Sequence, residues 1–501
     1  MTDSPQTAFP QPAAAKAWPD YRAVWRWHFY AGLFTLPFVI ILSISGAIYL
    51  FKPQIEAWCE RDYDNLLING NLVSVSDQVQ AALAAVPDST PSGYELPPAP
   101  NSAVRVIVRT KGGEAIRVYL HPETLAILHT FPEKERFMRW LFRLHGELLM
   151  GDRGSNIVEL AASWTIIMIV TGLYLWWPRQ AKGWGGVAYP RLRNGSGIFW
   201  RDLHSVTGIW ISTFALFLLL TGLPWAKFWG NYFKAIRRVT GTAVAQQDWT
   251  TGSESRAATL GRSEEQVTAD ATGKSARPTR DTSSGEHSGH GGGKRSGGRR
   301  GGSGVMPQDM TAFDRVAVTV SSLKLEHPVV VAPPASTDSD EWTAKSMTAN
   351  RPYRVNLVVS GKTGEIVSRE DFKDKHLIDK VVSTGIAAHE GQLFGWPNQL
   401  LGLLTAIGLV LLSVSGVIMW WRRRDQGVLG APKVMLSPRL SFGLVVLVVL
   451  FGVYLPLFGA SLVFVLLAEF AVLKRIPKVQ DWLGLHISAA SVVTEVPVPS
   501  E

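Results

Sequence analysis

With 501 residues, 50 Lys and Arg against 41 Asp and Glu, and a formal net charge of +9, the chain is basic. Its cations cluster in short loops beside apolar runs and in one low-complexity stretch, so nucleic acid is excluded as the partner and anchoring at a lipid surface is expected. The single cysteine, Cys59, excludes an intrachain disulfide, a CxxCH haem attachment and a Cys-ligated iron–sulfur cluster.

In chain order, residues 1–27 form a polar segment with Lys16, Arg22 and Arg26, expected on the cytoplasmic side. The first apolar run, 28–51, ends in Tyr49-Leu50-Phe51-Lys52-Pro53 rather than in a small-residue cleavage pattern, and reads as a retained span. An external α+β domain is expected over 52–156, with strands Val104–Val108 and Ile116–Leu120 joined by the hairpin signal Thr110-Lys111-Gly112-Gly113. A second span, 157–177, returns to a loop, 178–203, that carries Arg179, Lys182, Arg191, Arg193 and Arg201 and is expected to be cytoplasmic.

A third span, 204–225, leads to a second external region, 226–399, where Tyr353–Val359 and Glu365–Arg369 flank Ser360-Gly361-Lys362-Thr363-Gly364. Within it a Gly/Ser/Thr-rich insertion of about 241–304, containing His287 and His290, has the composition of a disordered linker rather than of a metal site. The fourth span, 400–421, ends at Arg422-Arg423-Arg424. The apolar stretch 440–473, broken at Pro456 and Gly459, is expected to fold as a two-helix hairpin, making six spans and leaving 474–501 as a cytoplasmic tail. Tryptophans at run ends (Trp25, Trp27, Trp176, Trp177, Trp420, Trp421) mark the interfaces.

Gly273-Lys274-Ser275 and Gly361-Lys362-Thr363 resemble fragments of phosphate loops, but Thr268 and Asn356 stand where the required upstream glycine would be. No GxGxxG joins a strand to a helix either, so neither ATP nor a dinucleotide is expected to bind.

The spans repeat. His28, Gly32, Ser45 and Gly46 follow one another at the same intervals as His204, Gly208, Thr221 and Gly222. On the return spans, His145 precedes Thr171-Gly172 by 26 and 27 residues and Trp176-Trp177 by 31 and 32, and His389 stands at those offsets before Ser415-Gly416 and Trp420-Trp421. The expected fold class is therefore a mainly α integral membrane protein, with a duplicated helix, α+β domain and helix plus a C-terminal hydrophobic hairpin. His28 and His204 then lie at cytoplasmic helix starts, and His145 and His389 at the external side.

Four histidines at matched positions suggest metal ligands, where a lone one would suggest a hydrogen bond to a neighbouring helix. Haem iron takes two axial ligands, so two imidazoles on each face would hold one haem there. Gly32 and Gly46 share a helix face with His28, as Gly208 and Gly222 do with His204. They either make room for a flat macrocycle or allow close helix packing. Arg26, Arg201, Arg139 and Arg143 lie one or two turns from these histidines, and either pair with haem propionates or anchor to headgroups.

The elements Trp27-His28-x3-Gly32, Leu144-His145-Gly146-Glu147-Leu148-Leu149, Thr171-Gly172-Leu173-Tyr174-Leu175-Trp176-Trp177 and Asp202-Leu203-His204-Ser205-x2-Gly208 resemble the PepSY-associated transmembrane-helix family. The hairpins near Thr124 and Thr363-Gly364 are similar to its PepSY domains. This resemblance covers nearly the whole chain outside the insertion. It implies an iron-regulated, multi-pass protein of the bacterial inner membrane with periplasmic PepSY-like domains, two b-type haems with two histidine ligands each, and a siderophore or other ferric chelate as substrate. The expected activity is that of an oxidoreductase, a transmembrane electron conduit fed by a quinol or a reductase. The rivals are a permease for siderophore or haem without redox chemistry, and a PepSY-based peptide-binding or regulatory protein.

Overall fold

The computed structural model describes residues 21–178, 183–242, 306–334, 336–432 and 442–485. Most of the insertion, with His287 and His290, lies outside the described residues, as do Gly273-Lys274-Ser275, Arg179 and Lys182.

Long apolar runs become long helices because a chain in lipid must satisfy every backbone polar group within the segment. These are α1 (Tyr21–Tyr49), α5 (Asp152–Trp176), α6 (Ser196–Gly222) and α10 (Trp396–Arg423). The C-terminal apolar stretch divides at Leu455-Pro456 into α11 (Phe442–Tyr454) and α12 (Pro456–Ala471), since proline fits the first turn of a helix but not its interior. Five helices among the described residues are long and apolar enough to cross a membrane, namely α1, α5, α6, α10 and α12 with its terminal turn. The described part of α11 has 13 residues, under the roughly 20 that a bilayer core requires, so among the described residues the six expected spans are matched by five helices of spanning length and a shorter apolar one. Gly452 and Gly459 let α11 and α12 touch backbone to backbone: a Cβ on Gly459 would lie 3.0 Å from the Gly452 Cα.

The chain divides into two compact units. The first comprises Met1–Ile44, Val158–Leu219 and Thr405–Glu501, and holds most of the helical spans. In it, α12 lies against α5 through Phe458 on Trp164 (ring centres 4.9 Å apart) and a hydrogen bond from Trp164 Nε1 to Ser461 (2.9 Å).

The second unit, Ser45–Ile157 with Leu220–Leu404, is organised by one antiparallel sheet. Strands β1 (Ser89–Glu95), β2 (Val104–Thr110), β3 (Ala115–Leu120) and β4 (Ile127–Pro132) form a meander, as do β5 (Val329–Ala332), β6 (Glu341–Ser346), β7 (Val355–Ser360) and β8 (Ile366–Asp371). β1 pairs with β5, Tyr94 opposite Val331 and Glu95 opposite Val330, and the order becomes β4-β3-β2-β1-β5-β6-β7-β8. The join needs Gly93, where a Cβ would meet Val330 Cγ1 at 2.9 Å. The two regions expected to be external therefore share one sheet rather than forming two separate domains, because each meander leaves an unpaired inner edge that the other covers.

Alternation along the strands sorts the residues onto two faces. Val104, Val106 and Val108 of β2 point to a core that α3 (Val75–Ala85) and α8 (Ala312–Ser322) cover with Val79, Ala82, Phe313 and Val316. Arg105 points the other way, pairing with Asp64 at 2.8 Å and with Glu60, from α2 (Lys52–Glu60), at 3.0 Å; Arg117 of β3 pairs with Glu95 and Glu133. Each meander is followed by a helix and then by a long apolar one: α4 (Phe137–Glu147) before α5, and α9 (Leu377–His389) before α10.

Candidate functional site: two histidine pairs

His28, in the second turn of α1, and His204, in the third turn of α6, stand with ring centres 6.3 Å apart and ring planes at 87°. His145, on α4, and His389, the last residue of α9, stand 6.4 Å apart at 77°. One pair belongs to each unit.

The four imidazoles are held in the same way. Nδ1 of His28 donates to the Met168 carbonyl (3.0 Å) and lies 3.1 Å from Thr171 Oγ1; Nδ1 of His204 donates to the Leu412 carbonyl (3.1 Å) and lies 3.1 Å from Ser415 Oγ. A carbonyl only accepts, so the Nδ1 atoms of both rings carry the proton and leave Nε2 with its lone pair. His145 and His389 make the corresponding Nδ1 bonds to Ser45 Oγ (3.0 Å) and Thr221 Oγ1 (2.9 Å).

The glycine after each hydroxyl touches the same imidazole. A Cβ would lie 3.1 Å from His28 Cε1 at Gly172 and 3.0 Å from His145 Cε1 at Gly46; for Gly222 with His389 and Gly416 with His204 the distances are 3.4 and 3.6 Å. Gly46 thus serves His145 and Gly222 serves His389, not the histidines five turns earlier on their own helices. Gly32 and Gly208 face Met168 Sδ (3.6 Å) and Leu412 Cδ2 (3.7 Å), so helix packing accounts for them. Sequence offsets show which residues recur, but not which partner helix each meets.

The arginines differ in their surroundings. Arg26 spends Nη1 on the carbonyls of Pro432 (2.6 Å) and Gly484 (2.8 Å), while Tyr30 donates to that of Leu483 (2.6 Å), so both side chains hold the chain's later segments against the start of α1. Arg201 pairs with buried Asp202 (2.7 Å), which also takes Arg191 (2.7 Å). Arg143 lies 3.9 Å from Glu147, and Arg139 sits over Phe142, 5.3 Å from its ring centre. Burial pushes the Arg139 guanidinium down from its ordinary value. Arg351, buried in the 3-10 turn Arg351–Tyr353 before β7, lies over Trp225 at 5.2 Å; no spacing in the sequence connects it to a histidine.

Among the described residues no group of three or more His, Cys, Asp or Glu side chains could hold a metal ion. Among the described residues each place thus offers a pair of imidazoles, too few for a structural zinc site and right in number for a metal whose other ligands come from a macrocycle. An imidazole nitrogen binds a first-row metal at about 2.0–2.1 Å and the ring centre lies about 1.2 Å further on, so two trans imidazoles have centres about 6.4 Å apart. The observed separations of 6.3 and 6.4 Å match that spacing.

Fold and site together define a multi-pass membrane protein with a sheet unit and hydrogen-bonded histidine pairs. The family model for the PepSY-associated TM region matches residues 25–423, and the chain belongs to that family. Among curated proteins, none matches it.

Proposed function

We propose that the protein is a transmembrane electron conduit of the bacterial inner membrane. In this reading it takes electrons from a quinol or a reductase on the cytoplasmic side and reduces a ferric siderophore, or another ferric chelate, at the periplasmic side. The observation that carries the reading is the spacing of 6.3 and 6.4 Å between paired imidazoles, each with Nδ1 engaged. His28 and His204 would hold one b-type haem, and His145 and His389 the other. When bound, haem supplies one-electron transfer without bond chemistry.

The chain's own residues orient the imidazoles, through carbonyls and hydroxyls of the kind that stand behind a ligating histidine. Along α1, five turns separate His28 from Gly46, the residue that seats His145, which suits sites serving the two faces of a membrane. The element order supports a duplication: span, two helices, four strands, helix and span occur from α1 to α5, and that order returns from α6 to α10, with α7 (Lys227–Val239) and α8 in the places of α2 and α3. Release of iron follows because the ferrous ion is a weaker partner for the hard oxygen donors of such chelates.

Haem stoichiometry across histidine variants tests the assignment. Each single replacement should bring haem per chain from two towards one. His145→Ala/His389→Ala should resemble either single variant, while His28→Ala/His389→Ala should lose both haems. A same-face double variant that loses two, or a cross-face one that keeps one, removes the assignment. Bands that never respond to reductant would instead favour haem transport.

A further inference from the structure

The loop between α5 and α6 turns its polar backbone groups inward and its apolar side chains outward. Over residues 184–189 the chain folds back on itself, with the amide of Gly186 donating to the Tyr189 carbonyl (2.7 Å) and those of Val187 and Ala188 to that of Trp184 (3.1 and 2.9 Å). The carbonyls at the tip are taken by indoles from the helices on either side: Trp176 of α5 donates to Val187 (3.0 Å) and Trp210 of α6 to Ala188 (2.9 Å). Arg191 packs beneath, where a Cβ on Gly186 would lie 2.7 Å from Nη2, and its guanidinium donates twice to Asp202, at 2.7 and 3.0 Å. Asp202 stands two residues before His204, so the loop is fixed to the turn of α6 that leads into that histidine.

The outer side of the loop carries Trp184, Tyr189 and Leu192, which are 72%, 59% and 68% exposed. Trp210 is itself 66% exposed and shares a face of α6 with exposed Phe214, four residues on. The loop therefore lies against the lipid-facing side of a span. Trp210 is six residues past His204, about 9 Å further along the helix. An indole and one hydrogen bond reach back less than that, so the Ala188 carbonyl lies at the depth of His204 or deeper, well inside the start of α6 at Ser196. Carbonyls at that depth need partners from the protein, and the two indoles supply them.

The second half shows an equivalent loop covered from within. Trp420, the counterpart of Trp176, donates to the Leu429 carbonyl (2.7 Å), but there the Leu429 amide is bonded to the Trp482 carbonyl (2.8 Å) and Leu429 is buried. No described segment buries Trp184, Tyr189 or Leu192 in that way. Charge favours lipid as the cover. Residues 178–203 contain five cations and a single carboxylate, Asp202, which is already paired with Arg191 and Arg201. Exposed Arg193 is left to meet phosphate.

We propose that residues 184–192 form a re-entrant loop seated at the boundary between headgroups and acyl chains, in the leaflet beside the His28–His204 pair. Trp184, Tyr189 and Leu192 lie against lipid and Arg193 takes a lipid phosphate. Through Arg191 and Asp202 the bilayer surface then holds α6 at a set depth. The seat stands with or without electron transfer.

The test uses full-length protein in phosphatidylcholine vesicles, with Cys59→Ser removing the single native thiol. A fluorophore is attached through Trp184→Cys or Leu192→Cys, and through two controls at exposed positions, Ile407→Cys within the α10 span and Val318→Cys on α8. Each sample is read as the ratio of emission with and without quencher, using brominated acyl chains in one series and aqueous iodide in the other. Positions 184 and 192 should follow Ile407, with at least two-fold quenching by bromolipid, whereas Val318 responds only to iodide. Two-fold bromolipid quenching at either loop position supports the seat, and Leu192→Cys retains both aromatic rings of the loop. Less than two-fold at both overturns it, whether iodide quenches there, as for a loop in water, or neither quencher does, as for a surface covered by a second copy of the chain. An absorbing cofactor cancels in these ratios, so failure of the conduit reading leaves the result standing.

Discussion

Gly46 and His145 approach so closely that a Cβ at position 46 would lie 3.0 Å from the imidazole Cε1 and 3.4 Å from Nδ1. Gly172 stands likewise to His28, at 3.1 Å, whereas Gly416 leaves 3.6 Å to His204. Forcing a methyl group into the tighter contacts costs about 1–3 kcal/mol, released only by moving the ring. Gly46→Ala and Gly172→Ala should therefore each lose or weaken one haem, and Gly416→Ala should keep both, as measured by pyridine haemochrome. Equal loss in Gly416→Ala and Gly172→Ala would show that the contact is not the cause.

The hydroxyls behind the imidazoles set a second expectation. Removing the group that orients a ligating histidine typically costs about 10–100-fold in metal affinity. Thr171→Val and Ser415→Ala should therefore weaken haem retention at the His28–His204 pair and shift one midpoint potential, while the other transition stays. Haem loss measured by transfer to apomyoglobin, with a redox titration of the same samples, reads both; two shifted transitions would contradict the assignment.

Acid should loosen the sheet unit. Burial raises the Glu60 carboxyl, but Arg136 (2.5 Å) and Arg105 (3.0 Å) outweigh it and hold Glu60 below its ordinary value of 4.5. At Glu133 burial is likewise outweighed by Arg117 and Arg136. Depressed carboxylates stabilise the fold fully above about pH 4.5, and that contribution is lost as pH falls through the lower folded values. Thermal melting between pH 7 and pH 3 should show this loss. Glu60→Gln should flatten the acid limb and lower stability at pH 7 by up to about 3 kcal/mol, since it leaves Arg105 and Arg136 short of a partner.

Topology follows from the distribution of cations around the spans. Reporter fusions after Arg193 and Arg424 should read cytoplasmic, and those after Pro98 and Ser336 periplasmic. A cytoplasmic signal at Pro98 would exchange the faces of His28 and His145 and end the conduit reading.

By itself the sequence determined that this is a multi-pass membrane protein of its family. Long apolar runs and their flanking cations act locally, through the cost of burying backbone and charge in lipid. The hairpin turns at Gly113 and Gly364 were legible for a similar local reason: both residues take positive φ, 83° and 76°, which glycine adopts without penalty. The matched offsets also singled out Ser45-Gly46, Thr171-Gly172, Thr221-Gly222 and Ser415-Gly416. What they could not show was that each dipeptide clamps a histidine borne on another helix, because that depends on which helices meet. Only the tertiary structure decided that two meanders join through Tyr94 and Val331 into one sheet, that Arg26 is taken up by the carbonyls of Pro432 and Gly484, and that Arg351 reaches Trp225. Each of these is a contact between residues far apart in the chain, set by packing and by the pairing of buried polar groups, and spacing along a sequence carries no record of it.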